Sequence, residues 1–87
     1  MAWTLEISDA ARCQFKKIDR KQADRITLVL IDIAASDAPR QRGMAMTGNY
    51  AGHWRYRFGD YRAIAMIEDR RMPILVLTVG HRREVYR

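Results

Sequence analysis

Trp54-Arg55-Tyr56-Arg57-Phe58-Gly59-Asp60-Tyr61-Arg62 is the stretch that decides the fold. Aromatic and arginine residues alternate along it, and in a β-strand successive side chains point to opposite faces. Trp54, Tyr56 and Phe58 therefore share one face, and Arg55 and Arg57 the other. Gly59-Asp60 suits a two-residue hairpin turn. That turn sets a register of Phe58 against Tyr61, Arg57 against Arg62 and Arg55 against Ile64. Three guanidinium groups then lie on one face, two of them directly opposed. Like charges opposed across a sheet destabilise it by a few tenths to about 1 kcal/mol. A bound anion would relieve that repulsion, and planar bidentate recognition of phosphate is what arginine does best. The aromatic face is read as core rather than as a base-stacking platform, because it lies opposite the arginines.

Outward from the hairpin, the charge is lopsided. Residues 1–39 hold six basic and six acidic groups, whereas residues 40–87 hold ten arginines, four acids and no lysine, which accounts for the whole net charge of +6. Localised charge of one chemical type points to a polyanion, with RNA as the expected owner of the phosphate. Cys13 is the only cysteine, so no intrachain disulfide is possible, which suits a reducing compartment. The start Met1-Ala2-Trp3-Thr4-Leu5 has neither the basic nor the apolar region of a signal peptide. No apolar run approaches the roughly 20 residues that span a bilayer. The expectation is a single soluble cytoplasmic domain over residues 1–87.

The rest of the chain supplies a scaffold. Trp3, Leu5 and Ile7 alternate with Thr4 and Glu6, which predicts a half-buried strand. Ser8 or Asp9 offers a helix N-cap, and Ala11, Phe15 and Ile18 recur at helical spacing. Asp19 with Gln22 has the spacing of a capping box for a second helix. The stripe Ala23, Ile26, Leu30, Ile33 and Ala34 marks the buried face of that helix. Residues 40–52 read as a polar connection. The second hairpin strand continues through Ala63 to Ile67. The aliphatic run Ile74 to Val79 reads as a central strand covered on both faces. The expected fold is α+β: an N-terminal strand, an αα-hairpin, then a mainly antiparallel sheet, in the order β-α-α-β-β-β. Both helices lie on one face and the arginines on the other.

After the last strand comes Gly80-His81-Arg82-Arg83-Glu84-Val85-Tyr86-Arg87. The tail leaves beside the hairpin and can carry Arg82 and Tyr86 to the arginine face, with Arg83 as a further phosphate contact. Tyr86 has two readings: stacking on a base or bonding a phosphate, or packing on the domain edge. Histidine is the side chain whose unperturbed pKa, about 6.5, lies near neutrality, so His81 is a candidate proton acceptor or donor. His53 and His81 have no matching ligand pair, so neither metal nor cofactor is expected.

Two segments, Gly52-His53-Trp54-Arg55-Tyr56-Arg57-Phe58-Gly59-Asp60-Tyr61-Arg62 and Val79-Gly80-His81-Arg82-Arg83-Glu84-Val85-Tyr86, resemble the RelE branch of the RelE/ParE toxin superfamily. The likeness runs over nearly the whole chain. It implies a toxin of a type II toxin–antitoxin pair, with a cognate antitoxin as partner. It further implies entry into the ribosomal A site, against ribosomal RNA, and cleavage of the mRNA there. In that chemistry the messenger's own 2′-hydroxyl attacks the adjacent phosphate, giving a 2′,3′-cyclic phosphate and a 5′-hydroxyl. Carried over by position, Arg55 and Arg57 match basic residues that are often lysines, and Arg62 matches a phosphate-binding arginine. Arg82 matches a general acid or charge stabiliser, and Tyr86 a tyrosine that holds the nucleotide. Arginine, with a pKa above about 12, is a poor general base, so a departure at Arg55 and Arg57 moves that role to His81, to Tyr86 or to positioning alone. Two alternatives share the fold: a ParE-like inhibitor of DNA gyrase, and a non-catalytic member that only binds its antitoxin.

Overall fold

The computed structural model describes residues 3–68, 70, 73–81 and 83. Strand β1 (Thr4–Ile7) leads into α1 (Asp9–Lys17) and α2 (Arg20–Ala35). A 3₁₀ turn over Pro39–Arg42, a two-residue strand β2 (Met44–Ala45) and a second 3₁₀ turn over Gly48–Tyr50 follow. Strands β3 (Trp54–Phe58), β4 (Tyr61–Ile67) and β5 (Pro73–His81) come next. The sheet order is β1-β5-β4-β3-β2. Among the described residues β1 and β5 run parallel, and the pairs β2–β3, β3–β4 and β4–β5 are antiparallel.

The N-terminal crossover is pinned by one side chain. Ser8 is the N-cap of α1: its Oγ accepts from the Ala11 amide at 3.1 Å and donates to the Leu77 carbonyl of β5 at 2.9 Å. Asp9 in the first turn and Lys16 and Lys17 in the last complement the helix dipole. The expected capping box at Asp19 does not form. Asp19 is the N-cap of α2, but its exposed carboxylate makes no capping bond, and only its carbonyl engages the helix, accepting from the Ala23 amide at 2.8 Å. The connection between the helices is two residues, Ile18 and Asp19. It leaves the carboxylate in solvent, where water competes for it.

The predicted helical stripe is buried as expected at Ile26, Leu30, Ile33 and Ala34. It packs with Ala11 of α1 on Tyr56, Phe58, Ala63, Ala65, Ile74, Val76 and Val79 of the sheet. Strand β5 differs from its reading: Ile74, Val76 and Val79 are buried, whereas Leu75 and Leu77 are only half-buried. Among the described residues, α1 and α2 lie on one face of the sheet. The other face carries a groove lined by Thr4, Glu6, Met66, Pro73 and Leu75.

The 40–52 connection holds more structure than its composition suggests. Met44 pairs with Arg55 and Ala45 with Trp54, so β2 closes the sheet edge beside the hairpin. Gly43 allows that approach, since a Cβ there would lie 2.8 Å from both the Arg55 carbonyl and the Tyr56 ring. Strands β4 and β5 also carry a bulge. Ile64 faces Thr78 while Ala65 faces Val76, leaving Leu77 extra. Gln14 of α1 satisfies this irregularity, its Oε1 accepting from Thr78 Oγ1 at 3.0 Å and from the Val79 amide at 2.8 Å.

Candidate nucleic-acid interface

The hairpin has the register its sequence dictates. Phe58 pairs with Tyr61, Arg57 with Arg62 and Arg55 with Ile64. Gly59 takes the left-handed conformation at φ +64°, open to glycine and costly for other residues. Tyr56 and Phe58 are core, so the aromatic face packs against the helices. The Tyr56 hydroxyl donates to the Pro39 carbonyl at 2.9 Å. Burial pushes its pKa up to about 12, against an opposing pull from the Arg40 and Arg42 charges.

The three arginines of the open face are in three different states. Arg57 is exposed. Arg62 is buried, at 7% exposure, and its Nη1 donates to the Gly59 and Tyr61 carbonyls of the turn. The repulsion expected between Arg57 and Arg62 is thus relieved inside the protein, because one guanidinium folds onto turn carbonyls. An external anion is not required for that. Arg55 is half-buried. Its Nη2 lies 3.1 Å from the Met44 sulfur, and its Nε is buried without a hydrogen-bond partner. Among the described residues no carboxylate forms an ion pair with Arg55 or Arg57.

His81 does not join this cluster. It pairs with Tyr61, one residue along from the Arg62–Gly80 pair, and so belongs to the helix-side face. There it meets the Tyr61 ring edge-on, with centroids 6.0 Å apart, and lines a small cavity with Gln14, Lys17 and Ile18. Its Nδ1 accepts from the Arg83 amide at 3.3 Å. In the neutral ring that leaves the proton on Nε2, so the lone pair a general base would use is already engaged. Arg83 is exposed. Arg82 and Tyr86 lie outside the described residues. His53 is half-buried, with Nδ1 3.1 Å from the Tyr50 carbonyl. Among the described residues no group of three or more His, Cys, Asp or Glu side chains is placed to hold a metal ion.

Not every arginine of the basic half faces outward for an anion. The Arg40 guanidinium lies 6.0 Å from the Trp3 ring and 5.8 Å from the Trp54 ring, and its Nη2 approaches the Ile67 carbonyl at 3.4 Å. Arg42 pairs with Asp32 at 2.9 Å. The residue that sequence reasoning missed is Met44, the cross-strand neighbour of Arg55. A two-residue strand leaves no periodicity by which to find it.

A family model described as ParE toxin of type II toxin–antitoxin system, parDE, matches residues 5–86. The chain belongs to this ParE toxin family. Its membership places it in the RelE/ParE superfamily, as the hairpin and tail motifs imply. The ParE-family chain is 28% identical to toxin RelG of Mycobacterium tuberculosis over 90 residues, covering 100% of this chain and 99% of that protein. In fold it matches the toxin–antitoxin complex RelBE2 of M. tuberculosis with a TM-score of 0.86, at 22% identity, covering 97% of this chain and 95% of the other. It matches a mutant of E. coli toxin RelE in the free state with a TM-score of 0.77, at 15% identity, covering 99% and 90%. The archaeal RelE–RelB complex from Pyrococcus horikoshii gives 0.74 at 19% identity, covering 98% and 100%. The fold is RelE-like, with the short β2 completing a five-stranded sheet. Among the described residues no helix is long and apolar enough to cross a membrane.

Proposed function

We propose that this ParE-family toxin is a metal-independent endoribonuclease that cuts mRNA in the ribosomal A site and so stops translation. The observation that supports it best is the pair Arg55 and Arg57, two guanidinium groups on one sheet face with no carboxylate partner among the described residues. In the proposed reaction the 2′-hydroxyl attacks the adjacent phosphorus in line, and the P–O5′ bond breaks. The products are a 2′,3′-cyclic phosphate and a 5′-hydroxyl; the 2′-proton passes to solvent water and the departing 5′-oxygen gains one. Arg57, the exposed member, stabilises charge on the phosphorane oxygens, the kind of interaction that lowers such a barrier most. Arg55 holds a neighbouring phosphate. Arg62 fixes the turn that presents them. Arg82 supplies the leaving-group proton or a further charge, Arg83 binds the flanking backbone, and Tyr86 holds the nucleotide, each by analogy with the family. With His81 Nδ1 engaged and arginine too basic to accept a proton, rate comes from positioning and charge stabilisation rather than from a strong general base.

The proposed partners are the ribosome with its messenger, and a cognate antitoxin in the cytoplasm. RelBE2 and the P. horikoshii pair are toxin–antitoxin complexes. On this chain an apolar groove is lined by Leu5, Ile7, Phe15, Leu30 and Ile31 and flanked by Arg12 and Lys16. It suits an amphipathic antitoxin helix with acidic flanks.

Primer extension on a translated messenger, with purified toxin and ribosomes, tests this. Cuts at A-site codons that disappear in Arg82→Ala and Arg57→Ala support it. An intact messenger, in cells that nonetheless stop growing, rejects it. The name of the matching family favours a second reading, inhibition of DNA gyrase. A supercoiling assay with the same protein separates the two.

A further inference from the structure

Arg55 is a guanidinium short of acceptors. Its Nε is buried with no partner, and the atom its Nη2 reaches is the Met44 sulfur, at 3.1 Å. A thioether is a weak acceptor. Met44 is 56% exposed, and the β2–β3 register sets it directly opposite Arg55. An oxidisable sulfur on an exposed side chain thus touches a cation that, among the described residues, lacks a strong acceptor. We propose that Met44 is an oxidative modification site, and that its sulfoxide oxygen captures the Arg55 guanidinium and withdraws it from anions.

The oxidant is a peroxide. The Met44 sulfur attacks one oxygen of hydrogen peroxide; an S–O bond forms as the O–O bond breaks. The departing hydroxide takes the remaining proton and leaves as water. Sulfur loses two electrons and the peroxide gains them. The product carries a polar S=O group, a far stronger acceptor than the thioether, and methionine sulfoxide reductases reverse the change. In this place the new oxygen lies beside donors that are already turned toward the sulfur, so Arg55 needs no long excursion to bind it. The sheet edge then carries Arg57 exposed and Arg55 occupied.

The capture stands on the Met44–Arg55 contact alone; its effect on RNA rests on the function proposed above. Both are read in one experiment on the full chain. The ¹⁵N-labelled protein is treated with hydrogen peroxide, oxidation of each methionine is mapped by mass spectrometry, and the Arg55 Nε–H resonance is followed. Affinity for a fluorescent single-stranded RNA is measured on the same samples. In wild type the resonance shifts as Met44 oxidises, and RNA affinity falls about tenfold, the scale of one charge-assisted hydrogen bond. Methionine sulfoxide reductase restores both. In Met44→Leu, peroxide changes neither the resonance nor the affinity, although Met66, 47% exposed, still oxidises. An Arg55 resonance that stays put while Met44 is oxidised overturns the proposal, as does an equal loss of affinity in Met44→Leu. A shifted resonance in a protein that binds no RNA in either form upholds the modification site and overturns the RNA reading instead.

Discussion

Residue chemistry divides the arginines more finely than their type does. Arg57 and Arg62 are cross-strand partners, yet one is exposed and the other donates to two turn carbonyls. Substituting the buried Arg62 removes charge-assisted bonds to two turn carbonyls, so Arg62→Ala should lower stability by about 1–3 kcal/mol in urea unfolding. Arg57→Ala should change stability by less than about 0.5 kcal/mol. In the cleavage assay the order of direct chemical effect reverses: Arg57→Ala is expected to slow the reaction by about 10²–10³-fold, as loss of one charge-stabilising donor does. His81→Ala should cost less than about threefold, because its Nδ1 is already engaged. A large loss in His81→Ala would assign the proton transfer to the imidazole. Alternation along the strand made the shared face of these arginines readable. Their separate states were not readable, since carbonyl reach depends on how the turn closes.

Tyr56 belongs to the same scale and gives a pH signature. Its folded pKa is about 12 against an ordinary 10.0. Between these values the unfolded chain releases the phenolic proton while the native state keeps it. The unfolded state then binds fewer protons, so stability falls with rising pH. The contribution is fully present below pH 10 and is lost by about pH 12, with a size of about 2–3 kcal/mol for a shift of this order. In Tyr56→Phe that component of the alkaline decline should vanish. The variant should also be weaker at neutral pH by about 1 kcal/mol, through loss of the bond to Pro39. Chemical denaturation at several pH values checks both, and an unchanged alkaline slope would place the loss on other groups.

Among the elements, legibility followed length and period. The hairpin register was written in a two-residue turn and a strict alternation, and both strands keep it. The buried stripe of α2 was equally plain, because four of its five residues are core. The capping box failed where spacing was right but the two-residue corner left Asp19 in solvent. The bulge at Leu77 depends on Gln14, 63 positions earlier in sequence, and leaves no local trace. Strand β2 was hidden because two residues have no period. Its cause is instead visible at Gly43, where a side chain would collide with the Arg55 carbonyl and the Tyr56 ring. Gly43→Ala should therefore cost about 1–3 kcal/mol, as overpacking does. Hydrogen exchange at the Met46 amide, which donates to the His53 carbonyl across this edge at 3.0 Å, should quicken more than exchange in β4. Unaltered protection of β2 in that variant would mean the edge strand does not depend on this close approach.

For the whole molecule, the lopsided charge sorts into structural and functional shares. Net charge alone assigns all ten arginines of the second half to a polyanion surface. The fold removes Arg40, set against two indoles, and Arg42, paired with Asp32, from that count. Salt dependence separates the two shares, because each phosphate contact to a single strand contributes about 0.7 to the slope of log affinity against log salt. Arg57→Gln should flatten the slope by about that amount and leave thermal unfolding nearly unchanged. Arg40→Gln should leave the slope intact. It should destabilise the protein by about 1–2 kcal/mol, since a guanidinium beside two partly buried rings contributes on that scale. RNA binding titrated over a range of salt, alongside melting curves of both variants, reads the two shares independently. If Arg40→Gln flattened the slope as much as Arg57→Gln, the polyanion surface would have to wrap around the sheet edge to Trp3 and Trp54. The phosphate path would then be set by overall charge rather than by the arginine face of the hairpin.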